Sequence, residues 1–451
     1  MSEDKAGGSP PAPGGSAGPA SPAAGDALVL GGLLNVHIRE WPAVLWSFLY
    51  FFCLLSGYYV LRPVRDEMGI LGGLKNLPWM FSATFLGMLA ALPIFGAAAA
   101  RWPRHKLVPG VYFVVVSNLL IFFVAMYAGY RPGLVAKVFF VWLSVVNYFI
   151  VSVFWSFMSD LYESDQAKRL FPVIAAGGST GAIVGPAITA ALVKHIGIAS
   201  LFLVSAGLFT CATLCVQRLN DWAKTHTRGD RQQGEAVGGG IFAGIRLALS
   251  SPYLLAIAGY ILLLQVLGTF FYLEQTRVVS QALTSSTART QLFAQLDLAV
   301  NGLTLLLQIF VTGRLVLSLG LATCLVLLPL FGGLGLLTVG LWPTLWVVAA
   351  ASVLRRATEF AISKPAREVL FTVVTREERY KAKNVLDTLV SRGGDALSGW
   401  AHNGLAGLGV TMSQMAFASL PAAIAMIGVG LYLGRSHEAK RKVAKATPAA
   451  T

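Results

Sequence analysis

Long hydrophobic segments follow one another along almost the whole chain and are separated by short polar turns. Each segment is long enough to cross the roughly 30 Å hydrocarbon core of a bilayer as an α-helix. The segments do not alternate apolar and polar residues, as the strands of a membrane β-barrel do. The pattern predicts an all-α polytopic membrane protein. Its twelve transmembrane helices are expected at residues 43–61, 78–100, 107–129, 134–158, 171–193, 199–217, 253–273, 291–312, 320–340, 343–362, 385–409 and 412–433.

One sequence pattern occurs twice, with copies about 215 residues apart. The charged stretch Glu163–Arg169 leads into an apolar run that contains Gly177-Gly178-Ser179, and Glu377–Asn384 leads into one that contains Gly393-Gly394-Asp395. Internal repeats are common in secondary transporters, whose substrate site lies between the repeated parts. The repeat predicts two six-helix halves and resembles the architecture of the major facilitator superfamily.

The polar stretches divide the chain into five parts. Residues 1–26 are mostly Gly, Ala, Pro and Ser, so they cannot form a hydrophobic core. They also lack the basic and apolar regions of a secretory signal peptide. The predicted parts are a disordered N-terminal tail 1–40, an N-terminal half 41–217, a cytoplasmic central loop 218–250, a C-terminal half 251–434 and a basic C-terminal tail 435–451.

The distribution of positive charge predicts the orientation of the spans. Charged residues are only 12% of the chain, yet the formal net charge is +14. An even number of spans places both ends on one side, and the loops of that side hold roughly three times as many Lys and Arg residues as the opposite loops. The positive-inside rule therefore predicts a multi-pass protein of a bacterial inner membrane with both termini in the cytoplasm. The excess charge then marks topology and contacts lipid headgroups, and it does not indicate nucleic-acid binding.

The sequence has no residue pattern typical of an enzyme, a metal site or a cofactor site. Cys211 and Cys215 share a helix face, which could indicate a metal pair, but no His or acid lies nearby and the role of small core residues is favoured. Gly177 and Gly181 could begin a phosphate-binding loop, but no Gly-Lys-Ser/Thr follows. With Gly185 they form a ridge of small residues, which favours close helix packing.

Charged residues at the ends of spans are the candidate functional residues, because a charge at that depth is costly unless it is paired or hydrated. Arg62, Arg65 and Asp66 follow span 1. They either lie on one side of a continuing helix or belong to a solvated loop after the intervening proline. At the matching place in the second half, Glu274 and Arg277 either pair with each other or face a cavity.

Span 8 carries a polar stripe of Asp297, Asn301 and Gln308. Such a stripe on an apolar helix requires water or a polar partner. It predicts either an ion-binding or proton-relay site, or pairing of Asp297 with an arginine of another helix. Arginine also dominates other span ends, at Arg355, Arg356, Arg367 and Arg392. Several guanidinium groups around one cavity would suit a carboxylate or a phosphate.

Four short motifs in the two halves have counterparts in a known family. They are Leu61–Asp66, Asp165–Pro172, Leu273–Thr276 and Ser363–Glu368. These motifs resemble the ATP:ADP antiporter (nucleotide translocase) family of plastids and obligate intracellular bacteria. The resemblance implies nucleotide exchange across a membrane, with functional positions at Arg65, Gln166, Glu274 and Arg367. Only Glu274 is identical to the family residue, because two lysines are replaced by Arg and one glutamate by Gln.

These observations favour a secondary active transporter that moves a small anionic solute by alternating access, above all a nucleotide or a phosphorylated metabolite. The expected substrate-binding residues are Arg62, Arg65, Gln166, Glu274, Arg277 and Arg367. Asp66, Asp297 and Asn301 are expected to balance charge or couple an ion. The alternatives are a transporter of another organic anion or lipid-like compound, and a membrane scaffold or sensor that transports nothing. The expected partners are the solute and the lipid bilayer, and the oligomeric state stays open.

Overall fold

The computed structural model describes residues 36–226, 246–247, 249, 251–375, 378, 382–383 and 385–446. Regular secondary structure within these ranges is helical. The α-helices are α1 (Trp41–Leu71), α2 (Leu77–Arg101), α3 (Arg104–Tyr127), α4 (Pro132–Leu161), α5 (Ser164–His226), α6 (Pro252–Ala282), α7 (Ser286–Leu307), α8 (Gly313–Leu341), α9 (Leu345–Thr358), α10 (Lys364–Leu370), α11 (Ser391–Gly407) and α12 (Met412–Ala446). Short 3-10 turns lie at Leu74–Asn76 and Phe371–Val373.

Three π-helical segments extend helices in the second part of the chain. Gln308–Thr312 joins α7 to α8, Glu359–Ser363 joins α9 to α10, and Leu386–Val390 precedes α11. The first two lie against each other, because Thr312 donates a hydrogen bond of 2.9 Å to the backbone oxygen of Ala361. Segments of this type interrupt the regular hydrogen bonding of an α-helix and often occur at functional sites.

Two glycines break helices that otherwise continue. Gly197 in α5 has a φ of 76° and Gly320 in α8 has a φ of 77°. Residues with a β-carbon rarely adopt this conformation, so glycine is required at both places. The first break lies between predicted spans 5 and 6, and the second lies at the start of predicted span 9. Each glycine therefore redirects the chain between two spans without a loop.

Nine helices in the described ranges are long and apolar enough to cross a membrane. This confirms the prediction of an all-helical membrane protein. The count of twelve spans and the division into two six-helix halves stay predictions. The difference has a structural reason, since α5 with 63 residues contains two predicted spans, while α9 with 14 and α11 with 17 residues are shortened by π-helical segments.

Several helices continue beyond the predicted ends of their spans. α5 reaches His226, inside the predicted central loop, because Leu219 and Trp222 still pack on apolar neighbours. α12 reaches Ala446, inside the predicted basic tail. Residues 1–35, 227–245 and 447–451 and most of the second charged repeat, Glu377–Asn384, lie outside the described residues. The predicted five-part division is therefore untested.

Two large apolar cores occupy different parts of the chain. One consists of residues between positions 36 and 219 and the other of residues between positions 253 and 433. Two small clusters join them, one that includes Leu77 and Leu273 and one in which Ile70 packs beside Phe293. We call α1–α5 the first helix group and α6–α12 the second helix group. Because the joining clusters are small, each group has a largely self-contained core.

The glycine ridge of α5 packs directly on α1, as the sequence predicted. A β-carbon at Gly181 would lie 2.5 Å from the backbone oxygen of Phe52, and one at Gly185 would lie 2.7 Å from the β-carbon of Tyr59. A β-carbon at Gly177 would likewise overlap the α1 backbone. These distances are too short for any side chain, so the ridge fixes the separation of α1 and α5.

Replacing Gly181 with alanine tests this contact. The added methyl group has no room against the α1 backbone, so we expect the free energy of unfolding to fall by about 1–3 kcal/mol, as in other overpacked sites. Gly207→Ala is the matched control, because it lies on the same helix beyond the break and a β-carbon there meets open space. Thermal unfolding of the purified protein in detergent measures both variants. Equal stability of the two variants would contradict the close packing.

Candidate functional site

A cavity of about 540 Å³ lies between the two helix groups. Residues of α1, α2 and α4 line it from the first group, and residues of α6, α9, α10 and α11 line it from the second. Its volume is within the range of small-molecule sites in proteins, about 300–1,000 Å³. The sequence predicts a solute site between two halves of the chain, and that this cavity is the site stays a prediction.

The cavity carries an excess of positive charge. Its cationic lining residues are Arg62, Arg65, Arg355, Arg356, Lys364, Arg367 and Arg392. Its acidic lining residues are Asp66, Glu359 and Asp395. The lining residues give a formal excess of four positive charges, and Asp297, which pairs with Arg62 and Arg356 behind the lining, lowers the excess to three. Walls of low dielectric constant strengthen the attraction of such a cavity for an anion.

The charged end of span 1 is helical. α1 continues through Pro63 to Leu71, so Arg62, Arg65 and Asp66 lie on the helix and line the cavity. Arg65 donates a hydrogen bond of 2.6 Å from Nη2 to Oδ1 of Asp66. The alternative of a solvated loop after the proline is therefore wrong. The predicted end of span 1 is too early because hydropathy alone does not show that paired charges facing a cavity can remain on a membrane helix.

Asp297 connects arginines of both helix groups. Its Oδ1 accepts a hydrogen bond of 2.6 Å from Nη2 of Arg356, and Nη1 of Arg62 lies 3.6 Å from the same oxygen. The Asp297 side chain is 1% exposed, and its Oδ2 has no hydrogen-bond partner in the described part of the chain. Of the two alternatives for the span 8 stripe, the structure shows pairing with arginines of other helices. One carboxylate leaves the two arginines with a net positive charge.

In the described part of the chain, two cations of the cavity form no ion pair. Within the described ranges, Lys364 and Arg367 have no carboxylate oxygen within 4.0 Å. Both lie on α10, next to the π-helical segment that joins it to α9. The other cavity ion pairs are Arg355–Glu359 at 2.9 Å and Arg392–Asp395 at 3.1 Å. A solute anion can therefore meet the α10 cations without displacing a carboxylate.

Glu274 and Arg277 do not line the cavity. The Glu274 side chain is fully buried, and its Oε1 lies 2.8 Å from Nε2 of His402 on α11. Nη1 of Arg277 lies 4.0 Å from the other carboxylate oxygen, so the predicted ion pair between Glu274 and Arg277 has a long nitrogen–oxygen distance. The structure brings Glu274 to a histidine, which the sequence reasoning did not anticipate.

Gln166 and Asn301 also lie away from the cavity. Gln166 donates a hydrogen bond of 3.0 Å to Oε1 of Glu40, whose carboxylate accepts two more from Arg169 at 2.8 and 2.9 Å. Burial raises the pKa of Glu40, but the hydrogen bonds and charge of Arg169 outweigh it and leave the pKa below its usual value. Asn301 donates a hydrogen bond of 2.7 Å to the backbone oxygen of Ala182 and so ties α7 to α5.

Aromatic side chains at the cavity were not anticipated. Three of them lie against arginines, with the distance measured from the arginine Cζ to the ring centre. The pairs are Arg62–Tyr59 at 5.6 Å, Arg65–Phe140 at 5.3 Å and Arg355–Phe271 at 5.7 Å. Aromatic residues are 11% of the chain and occur in most spans, so no sequence signal separates these from the rest. His402 did carry a signal, because it is a histidine inside an apolar span.

The helix groups meet where α1 ends and α7 begins, and we call this the closed end. Glu67 of α1 accepts hydrogen bonds of 2.7 Å at both carboxylate oxygens from Arg289 of α7. Glu67 is fully buried and Arg289 is 8% exposed. The groups also contact each other through α11 and α2, where Nε1 of Trp400 donates a hydrogen bond of 3.0 Å to the hydroxyl of Ser82. Both contacts join the first helix group to the second.

Comparison with known proteins confirms the predicted resemblance. No family model matches the chain. It is similar to ADP,ATP carrier protein 1 of Chlamydia muridarum, with 21% identity over 93% of this chain and 94% of that protein. It is also similar to ADP,ATP carrier protein 1 of Chlamydia trachomatis, with 20% identity over 83% of this chain and 84% of that protein.

Solved transporters share the fold. A POT family transporter in complex with a thioalcohol-conjugated peptide matches with a TM-score of 0.65 and 13% identity, over 90% of this chain and 98% of that chain. The nucleoside transporter NupG matches with a TM-score of 0.57 and 13% identity, over 90% of this chain and 99% of that chain. These are transporters of the major facilitator type. The prediction of a membrane transporter rather than an enzyme is therefore confirmed.

A double-mutant cycle on Glu67 and Arg289 tests the closed end. Loss of either partner leaves the other buried without compensation, so we expect Glu67→Gln and Arg289→Gln each to lower the free energy of unfolding by roughly 3–5 kcal/mol. The double variant is expected to lose less than the sum of the two. The exposed pair Asp165–Lys168 serves as the control and is expected to show no measurable coupling. Denaturant unfolding in detergent gives the coupling energies, and equal values for the two pairs would contradict a structural role of the buried pair.

Proposed function

We propose that this protein is a secondary active transporter that moves a nucleotide or another phosphorylated solute across a bacterial inner membrane by alternating access. The premise is its similarity to ADP,ATP carriers together with its transporter fold. The proposal of an anionic solute rests on the charge of the cavity between the helix groups, which keeps a formal excess of three positive charges once Asp297 is counted.

The cations of the cavity are proposed to bind the solute phosphates. Guanidinium groups bind phosphate through two parallel hydrogen bonds, and such charge-assisted bonds are stronger than neutral ones. Lys364 and Arg367 are available without loss of an ion pair in the described ranges. Arg62 shares Asp297 with a second arginine, so an incoming phosphate can bind it while Asp297 keeps one partner. Arg65 would contact the phosphate alongside Asp66.

The aromatic lining favours a nucleotide over a sugar phosphate. Tyr58, Tyr59, Phe140 and Tyr272 line the same cavity as the arginines. A base stacked on an aromatic side chain gains about 1–3 kcal/mol, and stacking tolerates any base because each has a π face. The site therefore combines the two kinds of contact that a nucleotide needs.

The proposed transport cycle rocks the two helix groups around the cavity. In the proposed topology, twelve spans form two six-helix halves with both termini in the cytoplasm, and the closed end faces outward. Outward opening then requires separation of Glu67 from Arg289 and of Ser82 from Trp400. Because each group has its own apolar core, the groups can move as units while the two small joining clusters separate.

A ligand screen followed by a flux assay tests the function. Purified protein is unfolded thermally in the presence of ADP, ATP, a sugar phosphate or a dicarboxylate. A ligand at 100 times its Kd is expected to stabilise the protein by about 2.7 kcal/mol. Uptake of the labelled ligand into proteoliposomes then establishes transport. Stabilisation by the dicarboxylate alone would shift the proposal to another organic anion, and absence of uptake for every stabilising ligand would favour a scaffold or sensor.

Substitution of the cavity arginines tests the site. We expect Arg65→Ala and Arg367→Ala each to weaken ADP binding roughly 10- to 100-fold, because each removes hydrogen bonds to a charged group of about 1.5–3 kcal/mol. Arg218→Ala is the control, since this arginine is exposed at the end of α5 and far along the chain from the cavity residues. Isothermal titration calorimetry gives the three Kd values. Equal Kd values for the three variants would remove these arginines from the site.

A further inference from the structure

One buried titratable pair is not used by the proposed solute site. Glu274 on α6 and His402 on α11 lie side by side, with 2.8 Å between Oε1 and Nε2. The Glu274 side chain is 0% exposed and that of His402 is 15% exposed. Neither residue lines the cavity. An acid in hydrogen-bond contact with an imidazole inside apolar helices is costly to maintain, so its presence requires a reason other than packing.

The charge of this pair is incompletely compensated. Oε2 of Glu274 is buried and has no hydrogen-bond partner in the described ranges. Nη1 of Arg277 lies 4.0 Å away, and its side chain is 39% exposed, so it screens the carboxylate only in part. With a neutral imidazole, the pair holds a buried negative charge. One added proton on either partner makes the pair neutral, and a single proton is therefore the species that fits this site.

Other charged groups approach α6 at different places. From α1, Asp66 and its partner Arg65 reach α6 at Tyr272. From α9, Arg355 reaches α6 at Gly268. On α11, the remaining titratable residues, Arg392 and Asp395, pair with each other, and Asp395 contacts Gln265.

Within the described residues, the remaining neighbours of this part of α6 offer no second counter-charge. The π-helical segment Leu386–Val390 also contacts α6, and the charged neighbours of its Asp387 include Arg367 and Lys364. α2, α8 and α12 contact it through Phe81, Gly335 and apolar residues. Their charged residues lie at the opposite ends of these helices, at Arg101, at Arg314 and after Leu433. Glu274 is therefore faced by His402 and Arg277.

Both partners are close to contacts that hold the helix groups together. Tyr272, two residues before Glu274, donates a hydrogen bond of 3.3 Å to Asp66 of α1. Trp400, two residues before His402, donates a hydrogen bond of 3.0 Å to Ser82 of α2. The hydrogen bond within the pair therefore fixes α6 relative to α11 at the place where each helix contacts the first group. Each partner thus lies within one helical turn of a contact between the groups.

We propose that the Glu274–His402 pair is a proton-binding site and that H⁺ is the ion coupled to solute movement. A hydronium ion from the water that enters when the closed end opens gives one proton to the pair, which becomes neutral, and leaves one water molecule. The proton is returned to water on the other side after the groups have rocked. Coupled movement rests on the proposed transport function, whereas binding of the proton does not.

Steady-state accumulation in proteoliposomes tests the coupling. The probe is labelled ADP, with an imposed pH difference of one unit and the membrane potential clamped. One proton per cycle supports at most a tenfold accumulation, since one pH unit is a factor of ten in proton activity. Wild type, His195→Gln and Glu438→Gln are expected to approach tenfold, because these control residues are exposed. Glu274→Gln and His402→Gln are expected to approach onefold, whatever their rate of ADP exchange. Tenfold accumulation in these two variants, or none in a wild type that exchanges ADP, would overturn the proposal.

A second measurement tests proton binding by the pair directly. It applies even if the protein does not transport ADP or the variants do not exchange it. In purified protein labelled with ¹⁵N-histidine, the NMR signal absent from His402→Gln reports the protonation of His402. We expect the protonation state that this signal reports to differ between wild type and Glu274→Gln at the same pH. A His402 signal that keeps one form at every pH, or that responds to pH identically in both proteins, excludes the proton site. Failure of ADP flux with a titrating signal instead rejects the nucleotide as solute.

Discussion

Charge inside an apolar helix bundle is the constraint that organises this molecule. Each buried ion needs a counter-ion or water, and removal of one partner is far more costly than the pair is favourable. The counter-ions of Arg62 and Arg289 come from the other helix group, as Asp297 and Glu67. Interactions that make burial of charge tolerable therefore also hold the two groups together, and the groups can separate only where water or a solute anion replaces the lost partner.

Most of the fold could be predicted from the hydrophobic pattern, because long apolar runs have few alternatives to a membrane helix. The ends of helices could not. Span 1 was expected to end at residue 61, but α1 continues to Leu71 because its charged residues pair across the cavity, a tertiary effect that a local average of hydropathy does not contain. Gly197 similarly joins two predicted spans in one turn where a polar loop was expected.

The composition of the site was more predictable than its pairing. Arginines at span ends indicated a cationic cavity, since isolated charges in apolar runs stand out in a sequence. Their partners depend on tertiary register, and Glu67 and Arg289 are separated by 222 residues. Gln166 shows the limit of motif resemblance. It matches a functional position of a known family, yet its side chain contacts Glu40 beside the start of α1 and does not face the cavity.

The π-helical segment between α9 and α10 has a consequence for the shape of the cavity. A π-helical turn contains an additional residue compared with an α-helical turn, and each residue of an α-helix advances the rotation by about 100°. Conversion of Glu359–Ser363 into regular α-helix would thus rotate α10 about its axis relative to α9. Such a change of winding would move Lys364 and Arg367 relative to Arg355 and Arg356, which stay in place. The arrangement of cations around the cavity would then change without any movement of the helix groups as units.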